Sequence, residues 1–173
     1  MLTALGKIDV LLKAMPMLKW LWLSSLVIVL DQISKWWVVK HFDLYESLAL
    51  FPSVNLTYVH NTGAAFSFLS SAGGWQRWFF IAIALIATTI LMIWLSRLKR
   101  SERWMAVTLS LILGGAIGNL YDRISYGYVI DFIDIYHKTW HWPVFNVADS
   151  AISVGIVMML IDAFFSKNST SDE

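Results

Sequence analysis

Apolar residues fall along the chain in four long blocks, Leu18 to Val39, Trp75 to Leu95, Trp104 to Tyr121 and Phe145 to Phe165, separated by polar or mixed stretches. Each block approaches the ~20 residues a helix needs to cross a hydrocarbon core about 30 Å thick, so the pattern predicts four transmembrane helices. Lys7, Lys13 and Lys19 precede the first block, as basic residues precede the apolar run of a signal peptide. That run ends at Leu30 in Asp31-Gln32-Ile33-Ser34-Lys35, not at small residues fit for cleavage, and it reads as a retained anchor. Two stretches outside the blocks, Val54-Asn55-Leu56-Thr57-Tyr58-Val59 and Val129-Ile130-Asp131-Phe132-Ile133-Asp134-Ile135-Tyr136, are rich in β-branched and aromatic residues and lie near Gly63 and Gly127. They predict short strands lying on the membrane surface.

Composition strengthens this picture. Of 173 residues, enough for about one domain, 58% are hydrophobic and 14% charged, against roughly a quarter charged in a typical soluble protein. The placement of the basic residues carries the topology. Arg97, Lys99, Arg100 and Arg103 face only Glu102 in the connection after the second block, which the positive-inside rule assigns to the cytoplasm. With Lys7, Lys13, Lys19 and Lys167, eight of the thirteen basic residues fall on that side. Both termini are then cytoplasmic, and the connections Lys40 to Gly74 and Asp122 to Val144 face outward. A net charge of +1 offers no broad field for nucleic acid. The absence of cysteine excludes disulfides, thiolate nucleophiles and cysteine zinc sites, leaving oxygen and imidazole groups for any chemistry.

Ionisable side chains within a span are costly, which makes each one informative. Asp31, Ser34 and Lys35 lie at i, i+3 and i+4, so carboxylate and ammonium can pair on one helix face. In the third block Ser110, Gly114 and Gly118 form a small-xxx-small ladder suited to close helix packing. Beside it run Gly115, Asn119, Asp122 and Arg123, the last two readable as an interfacial ion pair with a snorkelling arginine. Asn146, Asp149, Ser150 and Ser153 form a polar stripe on the fourth block. Asn146 and Asp149 also imitate a helix cap with an acidic partner at the third position, and a helix N-terminus favours negative charge.

Asp131 sits instead among Val129, Ile130, Phe132 and Ile133, where burial would raise a carboxyl pKa. If Asp131 and Asp149 meet, their environments differ in the way expected of an acid and base pair; if they do not, both are surface charges. Asp134 has a less apolar setting, Asp162 lies near the cytoplasmic end, and Asp43 and Glu46 read as surface residues. His137 and His141 have the i, i+4 spacing of a helical zinc pair, but in a segment that reads as extended and without an HExxH motif.

Five segments in order carry a resemblance. These are Leu30-Asp31-Gln32-Ile33-Ser34-Lys35, Asn61-Thr62-Gly63-Ala64-Ala65-Phe66-Ser67, Gly114-Gly115-Ala116-Ile117-Gly118-Asn119-Leu120-Tyr121-Asp122-Arg123, Val129-Ile130-Asp131-Phe132 and Phe145-Asn146-Val147-Ala148-Asp149-Ser150. Through them the chain resembles the lipoprotein signal peptidases, the bacterial type II signal peptidases. The resemblance, which leaves out the N-terminal extension to about Pro16 and the polar tail, implies an all-α membrane protein, a four-helix transmembrane bundle with a small outward-facing β-platform; the chain as a whole, 1–173, reads as a single membrane domain. It implies an aspartic endopeptidase of the inner membrane that removes the signal peptide of diacylglyceryl-modified prolipoproteins just before the lipidated cysteine.

By motif, Asp131 and Asp149 resemble the catalytic pair of that family. Asn61, Gly63, Asn119, Arg123 and Asn146 resemble its substrate-binding or supporting residues, and Asp31, Lys35 and Asp122 its structural or supporting ones. The expectation is no metal and no cofactor, with prolipoproteins and membrane lipids as partners, no nucleic acid, and a monomeric enzyme. Two other readings compete: an ion- or proton-coupled transporter using the intramembrane acids, and a non-catalytic assembly factor using the glycine face. The clustering of acids at the outer interface, without continuation down a bundle axis, disfavours transport.

Overall fold

The computed structural model describes residues 15–63 and 73–168, with side chains as far as residue 165. Lys7, Lys13, the Ala64-Ala65-Phe66-Ser67 part of the second motif and the polar tail beyond residue 168 lie outside the described residues. A 3-10 turn, Leu18–Trp20, leads into α1, Leu21–His41. After it come strands β1, Ser47–Phe51, and β2, Val54–Asn61, then helices α2, Gln76–Arg97, and α3, Arg103–Ser125. Strands β3, Val129–His137, and β4, Trp140–His141, precede the last helix, α4, Val147–Asn168.

Among the described helices α2, α3 and α4 are long and apolar enough to cross a membrane. Of the four transmembrane helices expected, three meet the length and apolarity of a span among the described residues. α1 is long enough at 21 residues, but Asp31, Gln32, Ser34 and Lys35 interrupt its apolar sequence. Those polar groups are turned inward: Asp31 and Lys35 are buried, while Leu30, Ile33, Trp36 and Trp37 are exposed. A helix whose polar stripe faces protein and whose apolar residues face outward suits lipid better than its mean hydropathy suggests.

α3 is the central helix. In its most apolar stretch 56% of residues are buried, against 11% for α2 and for α4, and α1, α2 and α4 all pack on it. Its glycines explain the closeness of two of these contacts. A Cβ on Gly114 would lie 2.8 Å from the Ser24 carbonyl oxygen and from Val27 Cβ in α1, and one on Gly115 would collide with the Ala148 carbonyl oxygen in α4. Ser24 Oγ donates to the Ser110 carbonyl at 2.7 Å across the first of these contacts. Gly118 leaves room for the Asp31 carboxylate, 2.7 Å from where its Cβ would stand. The small-residue ladder thus serves both packing and the admission of a charged side chain.

The four strands form one antiparallel sheet in the order β1-β2-β3-β4. β2 and β3 fall on the two stretches predicted as strands. β1 went unpredicted because Ser47-Leu48-Ala49-Leu50-Phe51 is fully exposed and has no alternation of apolar with polar residues. The sheet is fastened to the end of α1 by Val38 and Phe42, which pack with Tyr58, Ile130 and Phe132. After β4 the chain returns against β3, where Phe145 pairs with Ile133 through hydrogen bonds of 2.8 and 3.0 Å in opposite directions. This return places Asn146 and the start of α4 beside Asp131. A register shift in β2 between Leu56 and Val59, opposite the Ile133 to Asp131 segment, adds the local twist with which bulges re-aim side chains near functional sites.

Gly115→Ala should destabilise the fold by ~1–3 kcal/mol, because the obstructing atom is backbone and one helix must move. Gly155→Ala should cost less, since its nearest obstruction is the Ile112 side chain, which can turn away. Thermal unfolding of the two variants in detergent checks the order.

Candidate active site

Lys35 anchors the base of the site. In α1 it is one helical turn from Asp31, and its ammonium lies 2.8 Å from Asp31 Oδ2 and 2.8 Å from Asp122 Oδ2 in α3. All three side chains are at most 1% exposed. Each carboxylate has further donors: the Ala148 amide at 2.9 Å from Asp31 Oδ1, the Ile130 amide at 3.2 Å from Asp122 Oδ2, and Gln32 Nε2 bridging Asp31 and Asp122 at 3.1 and 2.9 Å. The pairing of Asp122 with Arg123 read from the sequence is not what forms. Asp122 turns inward to Lys35, and the Arg123 side chain takes other partners. Ser34 also leaves the expected polar face and donates to the Asp31 carbonyl of its own helix.

The third partner of Lys35 leads to the carboxyl pair. Lys35 Nζ donates to Asn119 Oδ1 at 3.0 Å, so the amide nitrogen of Asn119 points the other way, where it donates to Asp149 Oδ1 at 2.7 Å. Asp149 lies in the first turn of α4 and forms a reciprocal cap with Asn146. The Asn146 amide donates to Asp149 Oδ2 at 3.2 Å and the Asp149 amide donates to Asn146 Oδ1 at 2.9 Å. The cap reading from the sequence is therefore correct, and it does not exclude the other reading. The fully buried Asn146 side chain also donates to Asp131 Oδ1 at 2.6 Å.

Asp131 is 1% exposed and accepts a second bond, from Asn61 Nδ2 at 2.9 Å. Burial, with the Asp149 charge added, pushes its pKa up to about 7; the bonds from Asn61 and Asn146 and the Lys35 charge oppose that rise. Asp134, three residues along the same strand, is nearly as buried at 4%. Burial would raise it too, but hydrogen bonds from His141, Asn55 and Thr57 outweigh burial and hold it below the usual carboxylate range. Both side chains are nearly inaccessible, but Asp131 lies far deeper, and that deeper burial, with the Asp149 charge beside it, separates the two acids. His141 is committed to Asp134 at 2.8 Å.

Asp131, Asp149, Asn61, Asn119 and Arg123 line a single cavity of about 840 Å³ whose remaining wall is largely apolar and includes Trp142, Phe145 and Val154. Arg123 Nη2 donates to the Gly63 carbonyl at 3.1 Å, and the Gly63 amide donates to Asn61 Oδ1 at 3.0 Å. All ten residues singled out by motif thus belong to one connected arrangement: five on the cavity wall, Asn146 and Gly63 behind it, and Asp31, Lys35 and Asp122 beneath. Gln32 was passed over in the sequence, although an uncharged polar residue between Asp31 and Lys35 inside a span was a signal in itself.

Helices long and apolar enough to cross a membrane, with two carboxyls lining one cavity, one from β3 and one from α4, define a membrane protein built around a paired-carboxyl site. Residues 23–165 match the family model for signal peptidase (SPase) II. The chain is 51% identical over 156 residues to a lipoprotein signal peptidase of Alteromonas mediterranea, covering 90% of this chain and 86% of that one. It is 56% identical over 147 residues to a lipoprotein signal peptidase of Pseudoalteromonas translucida, covering 85% and 89%. A solved structure titled a bacterial membrane enzyme, determined in meso at 2.3 Å, is similar with a TM-score of 0.78 at 29% identity, covering 88% of this chain and 90% of that one. The chain belongs to the signal peptidase II family, a family of membrane proteases.

Two predictions follow from the buried charges. A carboxyl whose folded pKa lies above its unfolded value of 3.8 holds a proton in the folded state that the unfolded state has lost. Its favourable effect is therefore present at acid pH and lost as pH rises through about 7. Asp131→Asn should accordingly be more stable than the parent at pH 8, the advantage shrinking toward pH 5, as thermal unfolding at the two pH values reads. Lys35→Met leaves two buried carboxylates without their cation and should cost ~3–5 kcal/mol, measured by the same method.

Proposed function

We propose that this protein is an aspartic endopeptidase that removes the signal peptide of diacylglyceryl-modified prolipoproteins, cutting before the lipidated cysteine with Asp131 and Asp149 as the catalytic pair. The observation that carries the reading is the linkage of the two carboxyls through one residue, Asn146, at a shared cavity, with Asp131 pushed up to about 7. The names of the relatives supply the substrate class.

Two carboxyls in one site share a proton because both cannot ionise at low cost. Asp131 holds it at the start. Asp149 takes a proton from water, the hydroxide oxygen bonds to the scissile carbonyl carbon, and Asp131 donates its proton to the carbonyl oxygen, giving a neutral gem-diol. Collapse breaks the C–N bond. Asp149 delivers its proton to the departing amine nitrogen, while Asp131 recovers one from a gem-diol hydroxyl, and the pair is restored. Water is the nucleophile, so no acyl-enzyme forms. The protons belong to the pair, and the apparent pKa values of a rate profile belong to it as well.

The same reading places the protein in the bacterial cytoplasmic membrane as a monomer, with α1 as a fourth span, both termini cytoplasmic and the site at the outer face. There the signal helix lies in the bilayer and the acyl chains lie in the outer leaflet. Confinement of substrate and site to one interface supplies part of the orientation that a soluble enzyme must create by binding. Asn61 and Arg123 line the cavity where a substrate would enter, Gly63 supports both from behind, and Asn119 and Asn146 hold the acids.

Cleavage of a lipidated precursor peptide by the purified protein in lipid should fall at least ~100-fold, the lower range for general acid–base catalysis, in Asp131→Asn and in Asp149→Asn. Near-parental cleavage by either variant would overturn the assignment. In the parent, activity should decline as pH rises through about 7, where Asp131 loses its proton.

A further inference from the structure

Arg123 is held from a direction that the cavity does not account for. In the first turns of α2, Arg77 and Phe80 stand three residues apart, and therefore on one helix face. Arg77 Nε donates to the Arg123 carbonyl at 2.9 Å and Arg77 Nη2 to the Ile124 carbonyl at 2.8 Å. These are carbonyls of the last turn of α3; the Arg123 carbonyl also accepts from the Gly127 amide at 3.2 Å, and a cation there complements the helix dipole. Phe80 takes the other end of the same residue: the Arg123 guanidinium carbon lies 5.2 Å from its ring centroid. One face of α2 thus fixes both the backbone and the side chain of Arg123.

This grip reaches the carboxyl pair. The guanidinium held on the Phe80 ring donates through Nη2 to the Gly63 carbonyl and through Nη1 to the Asn119 carbonyl, at 3.1 and 3.4 Å. The Gly63 amide orients Asn61, and Asn61 donates to Asp131. An arginine side chain has large rotamer freedom to lose, and the two hydrogen bonds occupy only part of its five N–H groups. A ring face restricts the guanidinium without consuming any donor. Among the described residues no other side-chain bond of the guanidinium competes with an acceptor entering the cavity that Arg123 lines.

We propose that Phe80 is a positioning residue of the peptidase site: its ring face holds the Arg123 guanidinium at the cavity so that Arg123 engages substrate and, through Gly63 and Asn61, orients Asp131. The inference rests on the peptidase reading above. It assigns a role in the reaction to α2, the spanning helix that contributes no residue to the cavity wall.

Replacing Phe80 with phenylalanines carrying one, two and three ring fluorines tests it, because fluorination drains the ring face of negative potential and nearly preserves shape. Cleavage of the lipidated precursor peptide should fall stepwise, by ~3- to 30-fold at three fluorines given the usual strength of such contacts, with an unchanged melting temperature. Phe80→Trp should retain activity and Phe80→Leu should lose as much as the trifluoro ring. A flat series, or losses that track the melting temperature, would overturn the role. A second readout does not depend on turnover: ring-current shifts of the Arg123 side-chain N–H signals, in protein labelled at arginine nitrogen, should vanish in Phe80→Leu. Their persistence there would also overturn it. A parent protein that fails to cleave the peptide would sink the peptidase reading and this role with it. A parent that cleaves with a flat fluorine series sinks only the role of Phe80.

Discussion

A single buried ammonium organises this protein. Lys35 brings one positive charge to two carboxylates, Asp31 and Asp122, where all three are almost fully withdrawn from solvent. Desolvating three charges is expensive, and it is sustained only because geometry is close and the remaining lone pairs find donors. Here those donors come from different parts of the chain: the Ala148 amide at the start of α4, the Ile130 amide in β3, and Gln32 in α1. Meeting the electrostatic demand of one lysine therefore brings α1, α3, α4 and the sheet to one point. Such a cluster says more about which arrangement forms than about how stable it is.

The third bond of Lys35 converts this structural demand into orientation. An asparagine amide has an acceptor side and a donor side. Asn119 Oδ1 is occupied by Lys35 Nζ and by Asn146 Nδ2, which leaves its amide nitrogen to face Asp149. Asn146 then joins Asp149 to Asp131 by backbone and side chain together. The carboxyl pair thus rests on helices and strands through fully engaged partners. Sites held in this way keep their geometry better than sites on free loops.

The cavity above the pair combines two environments. Its polar floor holds the carboxyls and Arg123, and its apolar wall continues toward the outward face of α4, where Val154 is exposed. A peptidase acting on membrane-anchored chains requires both: water for hydrolysis and an apolar approach for its substrate. The contrast between Asp131 and Asp134 shows how locally the protonation states are set. Two acids on one strand are shifted in opposite directions: deep burial and the Asp149 charge raise Asp131, while at the shallower Asp134 the bonds from His141, Asn55 and Thr57 prevail.

Much of this was legible in the residues themselves. Runs of apolar side chains determined the helices, because a hydrocarbon environment requires continuous apolar length with internally satisfied backbone. Gly114 and Gly118 announced a close helix contact, and the spacing of Asn146 and Asp149 announced a cap. The pairing of Asp31 with Lys35 followed from one turn of helix. Family motifs then selected Asp131 and Asp149, which local spacing alone left as either a pair or two surface charges. What the sequence could not determine was long-range partner choice. Asp122 had an arginine adjacent in sequence yet pairs with a lysine 87 positions away, because the cost of burying Lys35 is met only by bringing a second carboxylate to it. β1 lacked a pattern because its side chains face outward on both sides, and Gln32 and Phe80 gained significance only when other helices arrived beside them. Local periodicity specifies which face of an element is buried; only the folded chain decides which charge meets which, since that depends on the distances packing creates.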